Sequence, residues 1–148
     1  MRFLLVDRII EIESGRRATG IKNVTMSEEF LAYHFPERPI MPGALITESL
    51  VQLADWIIRE ESDFQQMGLP VSFDRLKFRR FVRPGDQLVL EAEIKERDGE
   101  QVAVRGRALC EGQQMVTAAF TLTLYPMDDF HSVAEARRHY RLLRGEQE

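Results

Sequence analysis

"ALITESLVQLADWIIREES", residues 44–62, decides the architecture. Its apolar residues Leu45, Ile46, Leu50, Leu53, Ile57 and Ile58 recur at three- and four-residue steps, which predicts one well-buried helix. Pro42 and Gly43 start it, and Gly68-Leu69-Pro70 is expected to end the connection that follows. Downstream, residues 71–82, 88–94, 102–110 and 115–124 read as strands. Leu88, Leu90, Ala92 and Ile94 share one face, as do Val116, Ala118, Phe120, Leu122 and Leu124. Turn signals at Pro84-Gly85-Asp86, Asp98-Gly99 and Gly112 predict an antiparallel meander. Upstream, "LLVDRIIEIE" and "RATGIKNVT" read as two strands joined at Ser14-Gly15, and Ser27 to Glu29 as a short helical turn. One long helix packed on one large antiparallel sheet is the economical arrangement, an α+β fold.

The rest of the chain bounds what this fold can do. A length of 148 residues suits a single compact core, expected over residues 1–125. Residues 126–148 form an extension in which Ser132 and Glu135 make a capping box for a short basic helix ended by Gly145. Arg137, Arg138, Arg141 and Arg144 of that helix are expected on a solvated face, with His131 and His139 at the surface. The net charge of −4 gives no reason to expect nucleic acid. Cys110 is the lone cysteine, so there is no intrachain disulfide, and with three histidines no metal-ligand spacing emerges. It is expected as a small core hydrophobe, and Trp56 and the phenylalanines as core or interface. Asp7 and Arg8 interrupt "MRFLLVDRII" too early for a signal peptide or membrane insertion, so an untargeted cytoplasmic protein is expected.

The chemistry concentrates in "HFPERPIMPGALITE", residues 34–48, with three of the chain's six prolines in seven residues. Each proline fixes its own φ and restricts the residue before it, so His34 heads a stiff segment. Gly43 falls where a helix start leaves N–H groups without intrahelical partners, a candidate oxyanion site. Glu48, set among Leu45, Ile46, Leu50 and Val51, would have a raised pKa if buried and could donate a proton, with Gln52 one turn on to orient it. A base, an acid and an N–H donor describe proton abstraction beside a carbonyl followed by loss of a hydroxyl. The same residues also fit a structural loop histidine and an ordinary exposed stripe of Glu48, Gln52, Asp55 and Arg59.

Three motifs in order break that tie: "FLLVDRI", then "HFPERPIMPG" followed by "ESLVQ", then "KFRRFVRPGDQL". Across about residues 3–124 the chain resembles the FabZ-type 3-hydroxyacyl-acyl-carrier-protein dehydratases of fatty-acid synthesis. The resemblance implies a hot-dog fold, a sheet wrapped round one central helix, working as a dimer whose site takes its histidine from one chain and its glutamate from the other. It puts the catalytic histidine on His34, the catalytic glutamate on Glu48 and the thioester-binding amide on Gly43. It implies an acyl substrate on acyl carrier protein or coenzyme A, and no cofactor. Glutamate at the acid position looks like the FabZ type, whereas FabA-type dehydratase/isomerases carry Asp there. Tyr33 and Glu37 replace the glycines that usually flank the family's His-Phe-Pro, adding bulk and charge beside the base. A hot-dog thioesterase and a non-catalytic acyl-thioester binder are the rival readings. Arg75, Lys77, Arg79, Arg80 and Arg83 put five cations into nine residues. Lys77, Arg79 and Arg80 are the candidates for docking an acidic carrier protein, against the alternative that they only protect a strand edge.

Overall fold

The computed structural model describes residues 3–146. Within them the strands are β1 (Arg8–Glu13), β2 (Arg17–Asn23), β3 (Gln66–Phe78), β4 (Gln87–Asp98), β5 (Gln101–Cys110) and β6 (Gln113–Pro126). The helices are α1 (Gly43–Glu61) and α2 (Val133–Leu143), with short 3-10 turns at Glu29–Ala32 and Met127–Asp129. All six strands join one antiparallel sheet in the order β1-β2-β4-β5-β6-β3. The sheet packs against α1, the hot-dog arrangement that the resemblance implies. Leu50, Leu53, Ile57 and Ile58 of α1 are fully buried in one core with Leu88, Leu90, Val102, Phe120 and Leu122. Each such side chain contributes roughly 1.5–3 kcal/mol by leaving water.

Two expectations about the strands after α1 need correction. β3 starts at Gln66, so Gly68-Leu69-Pro70 lies inside a strand and does not end a connection. Pro70 is tolerated because β3 is an edge strand with only β6 beside it, and the pairing register slips directly after it. The meander is also shorter than expected. It comprises β4, β5 and β6, turned by Gly99 and Gly112 at φ of 61° and 79°. β3 lies beyond β6, three places from β4 in the sheet. Apolar alternation tells which face of a strand is buried but not which strand lies beside it.

The chain ahead of β1 is not strand. Leu5 and Val6 are buried, and Leu5 N–H donates to Gln52 Oε1 of α1 at 2.9 Å. At the other terminus α2 is capped by Ser132 Oγ, which accepts from Glu135 N–H at 3.3 Å. α2 covers the aromatic end of α1. Trp56 meets the rings of His139 at 5.2 Å and Tyr140 at 5.9 Å, and Phe64 meets Tyr140 at 5.4 Å. His139 is therefore half-buried and not a surface residue. The basic face is likewise not wholly solvated: Arg137 pairs with Asp63 at 3.0 Å and Arg144 donates to Ile9 O at 3.1 Å. A large apolar surface on α1 needs cover, and the extension supplies it.

Candidate active site

His34 follows the 3-10 turn that Phe30 and Leu31 bury in the core. Its Nδ1 lies 3.2 Å from Ile40 O, six residues along the proline segment. A carbonyl oxygen only accepts, so this contact puts the ring proton on Nδ1 and leaves the Nε2 lone pair available as a base. The next residue, Phe35, has φ of 54°, in the left-handed region, and heads a turn closed by Arg38 N–H to Phe35 O at 2.8 Å. Holding a non-glycine residue there costs on the order of 1 kcal/mol or more, which packing elsewhere must offset. The ring of Phe35 stands edge-on to His34 at 4.6 Å. Tyr33 and Glu37 both project to the surface, Tyr33 with 90% of its area exposed.

Gly43 is the first residue of α1, and its N–H precedes the first helical bonds, Leu45 N–H and Ile46 N–H to Pro42 O at 2.9 and 3.2 Å. The Phe78 ring lies across it so closely that a Cβ here would stand 2.5 Å from a ring carbon. Only glycine fits without moving the aromatic ring.

Glu48 is half-buried, between the buried and the exposed positions that the sequence allowed it. Gln52 Nε2 donates to Glu48 Oε1 at 3.2 Å and to Phe3 O at 2.7 Å, while its Oε1 accepts from Leu5 N–H. One amide thus aims the carboxylate and anchors the incoming chain.

The buried carboxyl is instead Asp55, 8% exposed, on the stripe that also allowed an exposed polar reading. It accepts Gly68 N–H at 2.7 Å and Arg59 Nε at 2.9 Å. Burial pushes its pKa up from 3.8 to about 6, against the opposing pull of Arg59 and Gly68 N–H, and the Glu48 charge adds a small upward push. Nothing in the residue pattern distinguishes Asp55 from Glu48. The difference is made by β3, which crosses above Asp55.

A raised native pKa means that the fold binds this proton more tightly than the unfolded chain does. Stability attributable to Asp55 therefore falls as pH climbs from about 4 to about 6 and stays lower above that. Asp55→Asn keeps an acceptor for Gly68 N–H and removes the titration. Denaturant unfolding of both proteins at pH 4, 5, 6 and 7 should show the balance moving toward the Asn variant as pH rises, by on the order of 2–3 kcal/mol. A pH-independent difference would mean that Asp55 does not titrate as described.

Glu48, Gln52 and Asp55 line one groove of about 800 Å³ along α1, walled by Phe3, Leu4, Val6 and Asp7, the start of β3 and α2. His34 and Gly43 are not among its lining residues. The chain thus joins Glu48 to Gln52 but holds His34 outside that groove. Lys77, Arg79 and Arg80 are all exposed at the end of β3 and just beyond it, with Arg75 and Arg83. Val71, Phe73, Leu76, Phe78 and Phe81 are exposed between or beside them, so this edge is apolar as well as basic. Cys110 is partly buried, and burial with nearby Asp86 and Glu111 raises its thiol pKa, the opposite of an activated nucleophile. Among the described residues no helix is long and apolar enough to cross a membrane.

Fold and groove together define a hot-dog protein carrying a histidine and a helix glutamate. Solved structures agree on the fold. A hot-dog-like protein from Thermanaerovibrio acidaminovorans matches with a TM-score of 0.65 at 18% identity, over 88% of this chain and 93% of that one. An acetyl-CoA-bound protein from Streptococcus mutans also matches with a TM-score of 0.65, at 12% identity over 85% of this chain and 94% of that one. The model of the FabA-like domain matches residues 1–119, and the chain belongs to that family. Among its relatives is the 3-hydroxyacyl-[acyl-carrier-protein] dehydratase FabZ of a Thermoanaerobacter species, 48% identical over 78% of this chain and 82% of the relative. The FabZ of Listeria welshimeri is 44% identical over 82% of this chain and 85% of the relative.

Proposed function

We propose that this chain dehydrates 3-hydroxyacyl thioesters to trans-2-enoyl thioesters in fatty-acid or related acyl-chain synthesis, on acyl carrier protein and without a cofactor. The observation that carries the reading is the pair of preset proton positions: Nδ1–H of His34 committed to Ile40 O, and Glu48 aimed by Gln52. Gly43 N–H donates to the thioester carbonyl oxygen and stabilises the charge that develops there. His34 Nε2 takes a C2 proton, the C2 electron pair forms the double bond, and Glu48 gives its proton to the departing C3 hydroxyl, which leaves as water. Solvent then exchanges protons with the imidazolium and carboxylate to restore both groups.

The working unit in this reading is a homodimer in the cytoplasm. The Glu48 groove lacks its own His34, and the exposed apolar edge of β3 has unpaired backbone for a second copy to meet.

Separating enoyl product, free thiol and unchanged 3-hydroxyacyl substrate by mass spectrometry tests the reaction. Enoyl product is the expected result. Free thiol would identify a thioesterase, and unchanged substrate an acyl-thioester binder. Docking is tested separately. Reversing charge at Arg79 and Arg80 should raise KM about tenfold for carrier-bound substrate, spare a short carrier-free thioester, and matter less at high salt. Equal losses on both substrates would place the damage in the fold.

A further inference from the structure

The groove that holds Glu48 also meets charge farther along α1. Its lining includes Phe3, Leu4 and Val51 and, farther along α1, Asp55 and Arg59, with Glu135 and Arg138 contributed by α2. Asp55 and Arg59 pair at 2.9 Å with both side chains only 12% exposed. Three elements fix the pair. Both residues belong to α1, Gly68 N–H of β3 holds Asp55, and the Arg59 guanidinium lies 4.7 Å over Trp56, which α2 covers through His139. An apolar tail pushed against these groups would strip their remaining water and offer no hydrogen bond in exchange, a net penalty.

The distance to this barrier sets a length. Seven residues separate Glu48 from Asp55, about 10 Å along the helix axis. A saturated chain built of C–C bonds near 1.5 Å advances roughly 1.25 Å per carbon, so about eight carbons fit beyond the reacting centre. We propose that the Asp55–Arg59 pair, braced by α2, is the stop that sets acyl-chain length, admitting chains of roughly ten to twelve carbons in total and rejecting longer ones. This rests on the reading that places Glu48 at the reacting centre.

The test uses the full chain and a ladder of S-alkyl coenzyme A thioethers from four to sixteen carbons, measured by calorimetry. Wild-type affinity should rise with each methylene and then stop rising near ten to twelve carbons. Asp55→Asn with Arg59→Met keeps the acceptor for Gly68 N–H and the stem over Trp56 but removes both charges. In that variant the rise should continue, leaving the sixteen-carbon ligand bound about tenfold more tightly than by wild type. A wild-type ladder that climbs without a break to sixteen carbons overturns the proposal even if the variant cannot be made. So does a variant ladder that coincides with the wild-type one. Enoyl hydration on matched thioesters separates the two readings: a break in binding with no hydration at any length keeps the stop and removes the dehydratase assignment.

Discussion

Purified His34→Ala and Glu48→Gln variants are each expected to lose at least about a hundredfold in kcat/KM for enoyl-thioester hydration, the scale of general acid and base catalysis. Neither change should move the thermal midpoint much. His34 is only partly buried and makes one side-chain bond to a carbonyl in its own loop, while Glu48 accepts one bond from Gln52, which a glutamine at 48 can still accept. The loss should appear in kcat, because the proton transfers occur in the transition state and add little to ground-state binding. His34→Ala also frees the Ile40 carbonyl, but that group sits at a partly exposed position where water can replace the imidazole. Near-wild-type turnover in a folded variant would remove that residue from the mechanism.

Mixing the two inactive proteins should restore activity. If the partner brings His34 to the Glu48 groove, a dimer of one His34→Ala chain with one Glu48→Gln chain contains one whole site and one doubly damaged site. With random exchange half of the dimers are mixed and half of their sites are whole, so recovery should approach roughly a quarter of wild type under two-fold symmetry. The quantity to follow is hydration rate against time after mixing, with exchange verified independently by mass-tagged subunits. Complete exchange without recovered activity would place the pair within one chain or remove it from catalysis.

What the sequence determined by itself was local. The period of residues 44–62 marks α1, whose observed span is Gly43–Glu61, and alternation with Gly99 and Gly112 marks the β4-β5-β6 hairpins. These features depend on which face of an element is apolar and where the backbone must turn, and neighbouring residues carry that information. The order of the motifs likewise identified His34, Gly43 and Glu48 as candidates. Tertiary structure decided the rest, because the deciding groups lie far apart in the chain. β3 could be assigned to the edge beside β6 only once the crossover through α1 was placed. Glu48 and Asp55 are two carboxylates of the same helix, yet one is half-buried and the other buried, under Gly68 and paired to Arg59. A carboxyl group's pKa follows the water and charge around it, and those come from whatever packs above the helix. α2 is legible as a helix from Ser132 and Glu135, but its contact with Trp56, and hence its place in the wall of the groove, exists only in the folded chain.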